Sequence, residues 1–164
     1  MKLDVGCGPS CKEGYFGVDI DPLSGAHFVC NAWEIPIADH LADEIYARHF
    51  WEHLSPCMAR KTLIEWKRIL RPTGKVRLIF PDLEYHCGQI FWPGKSEFVD
   101  APNFDHALAA FFGWTAGDNP NPFMEHKWGY TRKSLKEFVV SFGFMPIFLP
   151  CRACDIDVEM TLAP

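Results

Sequence analysis

Leu3-Asp4-Val5-Gly6-Cys7-Gly8-Pro9, followed by Val18-Asp19-Ile20-Asp21, decides the reading of this chain. A short apolar run enters a turn with two glycines one residue apart, and a second apolar run ends in acid. A side chain on either glycine would keep a ligand from lying against the backbone. A carboxylate ending the next strand can accept hydrogen bonds from both ribose hydroxyls. The stretch therefore reads as a nucleoside-binding strand-turn-strand, with an ordinary tight turn as the plain alternative. The dinucleotide pattern G-x-G-x-x-G is not met, because Cys11 stands where its third glycine would be.

Composition narrows the class. The 164 residues fit a single domain, 1–164, large enough to bury a core. An aromatic content of 15% is high and points to aromatic packing at a site or an interface. A net charge of −5 speaks against a nucleic-acid backbone as partner. No apolar stretch approaches the roughly 20 residues of a membrane span, and no signal peptide is evident. Seven cysteines, scattered through strands and turns, predict free thiols in a reducing cytoplasm.

Outward from the opening stretch, Leu3–Val5, Phe16–Ile20, Phe28–Cys30 and Ala42–Phe50 read as the first four strands. Ser55-Pro56 gives an N-cap and first helical position. Leu63, Trp66, Ile69 and Leu70 continue that helix at helical spacing. Arg71-Pro72-Thr73-Gly74 breaks it, and Val76–Phe80 is a fifth strand. Thr131 caps a later helix with Leu135, Phe138, Val139 and Phe142 on one face, ended by Gly143. Met145–Leu149 and Ile156–Leu162, joined by a short connection, form an antiparallel pair. The expected fold is α/β, a seven-stranded, mostly parallel sheet with an antiparallel last strand and helices on its faces.

These residues resemble the class I S-adenosylmethionine (SAM) dependent methyltransferases. LDVGCGP matches their first motif, an acid and an apolar residue before G-x-G, and Asp19 matches the acid that ends their second strand. Asn31-Ala32-Trp33-Glu34-Ile35-Pro36 looks like their third-strand motif, which usually begins with Asp. Asp43–Tyr46 through Glu52-His53-Leu54 looks like their fourth strand and its turn. Leu70-Arg71-Pro72-Thr73-Gly74-Lys75 looks like their approach to strand five. Within the family, the nearest likeness is to small predicted methyltransferases of unassigned substrate, which pair "P-D-L" after strand five with a late "H-K/R-W-G". The resemblance implies SAM as cofactor and a small or medium-sized hydroxyl or amine acceptor.

Two departures stand out. About ten residues separate Val5 from Phe16, whereas a parallel crossover with its helix takes about a dozen or more. The first crossover helix is thus expected to be reduced or absent, and no counterpart of the family's leading helix is expected ahead of strand one. Uncovered apolar sheet is commonly buried against a partner, which predicts a homodimer.

The resemblance assigns roles. Gly6 and Gly8 would let the backbone approach the cofactor, and Asp4 would orient that loop or meet the ammonium group. Cys7 would be a small filler in the turn. Asp19 would bind the ribose, and Ile20 would pack on adenine. Asn31 would reach the adenine amino group, with the Ala32-Trp33 backbone along the ring edge; a turn residue and a core aromatic are the alternatives. Arg48 and His49, at the carboxyl end of strand four, would flank the crevice.

Three stretches bear on the acceptor. Asp82 or His86, after strand five, could take a proton from a hydroxyl, with Tyr85 shaping the pocket; Asp82 could equally cap the next turn. Residues 86–127 form a long excursion of the lid or binding-loop kind. It has an apolar run, Ala107–Phe112 with Trp114, and a turn-rich stretch, Gly117–Pro122. His126 is the leading acid/base candidate, with a hydrogen bond that holds the lid as its alternative. His49-Phe50-Trp51-Glu52-His53 also spells H-x-x-E-H, the inverted zinc-protease motif, which needs helical spacing and a third ligand. A helix-entry hydrogen bond is the simpler role for His53, and no metal is expected. A non-catalytic module that binds a nucleoside or a partner, and a zinc hydrolase built on His49, Glu52 and His53, are the competing functions.

Overall fold

Short β-branched and apolar runs alternate with capped helices, and they assemble into one sheet. The computed structural model describes residues 1–114 and 122–164. Its strands are β1 (Lys2–Val5), β2 (Phe16–Asp19), β3 (Phe28–Val29), β4 (Ala42–Arg48), β5 (Leu70–Pro81), β6 (Phe144–Phe148) and β7 (Asp155–Leu162). They lie in the order β3-β2-β1-β4-β5-β7-β6. The pairings from β3 through β5 are parallel, and β7 runs antiparallel to both β5 and β6. This is the expected α/β sheet.

The helices are α1 (Pro56–Ile69), α2 (Leu83–Gln89), α3 (Asn103–Phe112) and α4 (Arg132–Val140). Ser55 caps α1 by accepting from the Met58 amide, with Pro56 at its first turn. Thr131 and Ser134 close a capping box on α4. Helix α2 was not expected. Asp82 caps it through the Glu84 amide, and its His86 and Gln89 are buried. The stretch read as a helix breaker is part of β5. Ala42 pairs with Leu70, and the next pair is Glu44 with Lys75, so Arg71–Gly74 bow out as a bulge.

Residues 6–15 cross from β1 to β2 through turns alone, so the first crossover helix is absent, as the sequence predicts. The main core lies on one face of the sheet. There Leu3, Val5, Ile45, Ala47, Val76, Leu78, Ile156 and Val158 meet Leu63 and Trp66 of α1 and Leu135 and Val139 of α4.

Strand residues that alternate with these face the other way, and they are charged. Lys2 pairs with Glu44 at 3.4 Å, Lys75 with Glu159 at 2.7 Å, and Arg77 with Asp157 at 2.7 Å. The Lys12 ammonium lies over the rings of Tyr15 and Tyr46 on the same side. The missing crossover helix was expected to uncover apolar sheet; on the central strands the face opposite the main core is charged instead. The central strands carry an ion-pair ladder on that face, while Met145 and Ile147 of β6, opposite Thr161 and Glu159, are exposed apolar residues beside it.

Within the 86–127 excursion, α2 and α3 pack on each other. His86, Gln89, Asn103 and His106 form a buried polar network between them. Residues 117–121 of the loop read from the sequence lie outside the described residues; Pro122 begins a 3-10 turn, Pro122–Met124. No helix of the described residues is long and apolar enough to cross a membrane.

Candidate functional site

The carboxyl ends of β1, β2 and β4 open onto a cleft of about 430 Å³, within the size range of small-molecule and cofactor sites. Gly6 and Gly8 in the turn after β1 both hold positive φ, +71° and +53°. They serve different ends. A Cβ on Gly6 would stand 2.5 Å from Phe50 Cδ2, so Gly6 lets Phe50 close over the turn. A Cβ on Gly8 would meet nothing within 4 Å. It would project into open space at the cleft rim.

Two carboxylates hold the turn. Asp4 is buried in β1, and its Oδ2 accepts from the Lys12 amide at 2.7 Å. Burial pushes the Asp4 carboxyl above its ordinary range. Asp19 ends β2 on the cleft wall; its Oδ2 accepts from the Gly8 amide at 2.8 Å and its Oδ1 from the Asp21 amide at 2.9 Å. A carboxylate has about four acceptor positions. Two are used, and the others remain for a ligand's hydroxyls.

Gly6, Gly8, Asp19, Ile20, Asn31, Ala32, Trp33 and His49 all line the cleft. Ile20 is 47% exposed, unusual for isoleucine, and offers an apolar face there. Asn31 donates to Glu34 Oε2 at 3.2 Å, and Ala32 is buried. Asp4, Cys7 and Arg48 face a separate hollow, which shares Gly6 and His49 with the cleft. Burial pushes the Cys7 thiol up to about 12, so it stays protonated as a filler between turn and sheet.

His49 follows β4 at φ +49°, a left-handed conformation that costs a residue with a Cβ about 1–2 kcal/mol. The turn swings the chain into a 3-10 segment, Trp51–His53. The helical spacing required by the H-x-x-E-H reading is therefore not formed. His49 Nδ1 lies 3.5 Å from Glu52 Oε1, and that contact raises the His49 pKa.

Asp82 and His126 lie outside the cleft lining. Asp82 caps α2, with Arg132 Nε 3.8 Å away. His126 donates from Nδ1 to the Ala110 carbonyl at 2.7 Å, and burial lowers its pKa. Its ring packs edge-on against His53, which does line the cleft. His86 is enclosed by Gln89 and the Cys154 carbonyl, away from the cleft. Phe50, Leu54, Met58, Phe123, Met124 and Lys127 also line it and were not singled out in the sequence. Their place in and just after the E-H-L turn was the available signal for Leu54 and Met58. Phe123, Met124 and Lys127 arrive by tertiary folding.

No family model and no curated protein matches the chain. Solved structures do. The PH0226 protein of Pyrococcus horikoshii OT3 aligns at TM-score 0.67 and 16% identity, over 98% of this chain and 81% of its own. An S-adenosylmethionine-dependent methyltransferase of Clostridium acetobutylicum aligns at 0.66 and 11%, over 99% and 84%. The 1,6-didemethyltoxoflavin-N1-methyltransferase of Burkholderia thailandensis, solved with S-adenosylhomocysteine (SAH), aligns at 0.61 and 15%, over 99% and 71%. The chain has the class I SAM-dependent methyltransferase fold.

Proposed function

We propose that the cleft binds SAM and that the chain transfers its methyl group to a small or medium-sized hydroxyl or amine acceptor. The observation that carries this reading is the meeting of the Gly8 amide with Asp19 at the rim of a cleft lined by Ile20 and Asn31–Trp33. The chain's residues fit the cofactor. Gly8 leaves open space where a side chain would intrude, and Asp19 keeps acceptor positions for ribose hydroxyls. Ile20 would cover one adenine face, and Asn31 would meet the adenine edge beside Ala32 and Trp33.

When bound, SAM supplies a methyl group on a sulfonium centre that is open to attack by a nucleophile. The protein's task is to align donor and acceptor and to exclude water. In this reading the acceptor enters beside His53, Phe123, Met124 and Lys127, which form the cleft's other flank. His126, expected to act on the acceptor, takes part through the His53 ring it touches. Asp82 acts at a distance, by fixing the first turn of α2. The toxoflavin methyltransferase gives a small-molecule precedent for the acceptor class. The free state of all seven cysteines fits a reducing compartment.

Calorimetry with SAH tests the cofactor site. Micromolar binding lost in Asp19→Ala supports it, and no binding at millimolar ligand overturns it. A screen of hydroxyl and amine acceptors with labelled SAM then tests transfer. Tight SAH binding without turnover on any acceptor would assign the non-catalytic module instead.

A further inference from the structure

We propose that Glu52, His53 and His126 bind one divalent transition-metal ion, with open coordination positions facing the cleft. One ligand-capable atom from each of the three lies within 4.8 Å of the other two. This goes beyond methyl transfer: the ion's binding depends on these three residues and not on SAM.

The Glu52 carboxylate is the starting point. The residue is 3% exposed, and neither oxygen has a hydrogen-bond partner. A buried carboxylate without a hydrogen bond is costly unless a cation meets it. The nearest nitrogens are His49 Nδ1 at 3.5 Å and His126 Nε2 at 3.9 Å, both on Oε1 and both too far for a good hydrogen bond.

The two histidines are oriented alike. His126 Nδ1 lies 2.7 Å from the Ala110 carbonyl, and His53 Nδ1 lies 3.0 Å from the Glu125 carbonyl. A carbonyl only accepts, so each Nδ1 carries the proton. In its neutral form each ring then presents an Nε2 lone pair. A backbone carbonyl on one ring nitrogen and a free lone pair on the other is the usual arrangement of a metal-binding histidine. At His126 that lone pair faces the Glu52 carboxylate with no proton between them, an arrangement that a cation resolves.

Glu52 and His126 are also locked together through the backbone. The Lys127 and Trp128 amides both donate to the Glu52 carbonyl, so the chain that delivers His126 is fastened to the turn that carries the carboxylate. This set differs from the linear H-x-x-E-H reading. His49 Nδ1 also approaches Glu52, at 3.5 Å, but the three residues whose ligand atoms all lie within 4.8 Å of one another are Glu52, His53 and His126.

Two imidazoles and one carboxylate suit zinc and its neighbours in the first transition row better than magnesium or calcium, which take oxygen ligands. Ligand atoms about 2.1 Å from a tetrahedral ion stand about 3.4 Å apart. The widest separation here must therefore close by about 1.4 Å, within reach of side-chain rotation. Three protein ligands leave at least one position open, the pattern of catalytic rather than structural sites. His53 borders the cleft, so that position faces the flank where the acceptor is placed.

The test uses the full chain stripped with chelator, loaded with Zn²⁺ or Co²⁺ and desalted. Elemental analysis should give one equivalent of metal, and Co²⁺ should give visible absorption of a low-coordinate site. Glu52→Gln, His53→Gln and His126→Gln should each weaken Zn²⁺ at least tenfold in competition with a chromophoric chelator. Less than a tenth of an equivalent retained by the unaltered chain, with no Co²⁺ spectrum, overturns the proposal whether or not the variants fold. So does full retention by folded His126→Gln. Asp19→Ala should keep its metal while losing SAH, so failure of the cofactor reading and failure of the metal site give different results.

Discussion

The Gly8 amide donates to Asp19 Oδ2 at 2.8 Å, tying the turn after β1 to the last residue of β2. One carboxylate thus shapes the turn and faces the cleft. A hydrogen bond to a charged group is worth about 1.5–3 kcal/mol, so losing one ribose contact alone weakens SAH by about 10- to 150-fold. Asp19→Ala is expected to lose at least that much by calorimetry. Asp19→Asn, which keeps one acceptor oxygen, should lie between it and the unaltered protein. A dissociation constant for Asp19→Ala within threefold of the original would contradict the ribose assignment.

The two glycines of the turn should separate stability from binding. Gly6→Ala sets a Cβ against Phe50 at 2.5 Å and holds alanine at φ +71°. Overpacking and left-handed backbone together predict a loss of about 2–4 kcal/mol, read in urea unfolding. Gly8→Ala meets no neighbour at φ +53° and should lose only about 1–2 kcal/mol. Gly8 lines the cleft, however, and the proposed SAM site sets the added methyl against the cofactor, so SAH affinity should fall more steeply than stability. The reverse ranking in stability would show that the turn is held differently.

How far the sequence could be read depends on how local each cause is. Ser55-Pro56 and Thr131 announced their helices because capping is settled within four residues. β5 was legible from Val76, but its start at Leu70 was not. Pro72 and Gly74 look like breakers unless Ala42 is known to pair across the bulge. Helix α2 went unread because Tyr85, His86, Cys87 and Gly88 are poor helix formers; its cap and the buried His86–Gln89 network hold it. The charged sheet face was legible in principle, since Glu44-Ile45-Tyr46-Ala47-Arg48 alternates strictly. At the cleft, Gly6, Gly8 and Asp19 are close in the chain, so the sequence could place them together. Glu52 and His126 meet only through tertiary folding, and H-x-x-E-H pointed to a neighbouring but different set.

The sheet's charged face should not respond uniformly to mutation. Arg77 meets Asp157 through two nitrogens, at 3.0 and 2.7 Å, and Asp157 is buried. Arg77→Ala strands a buried carboxylate and should cost about 1–3 kcal/mol. Lys75 and Glu159 are both partly exposed, so Lys75→Ala should cost less than about 1 kcal/mol. Raising salt should reduce the Lys75 effect much more than the Arg77 effect. Equal costs for the two variants in urea unfolding would argue that the ladder is solvated throughout.

Stability should fall as the solution is made mildly acidic. His106 Nδ1 lies 2.8 Å from the Ser96 hydroxyl and 3.1 Å from the Gln89 side-chain amide, which also donates to Asn103. Protonating Nδ1 would set it against the Gln89 N–H and leave only the Ser96 oxygen to accept from it. Burial lowers its pKa below the ordinary 6.5, and burial likewise lowers those of His86 and His126. The sign follows from proton counts: below about pH 6.5 the unfolded chain binds protons that the folded chain refuses, so unfolding becomes easier as pH drops. His49 works the other way, since contact with Glu52 raises its pKa and it contributes stability at low pH. Three histidines against one give a net loss just below pH 6.5. The buried carboxyls of Asp4, Asp82 and Asp155, raised by burial, offset it only as pH falls toward their own range, above 3.8. Urea midpoints should therefore decline from pH 7 to 5.5. His106→Gln, with no titrating ring, should flatten that decline, and an unchanged slope in this variant would place the proton uptake elsewhere.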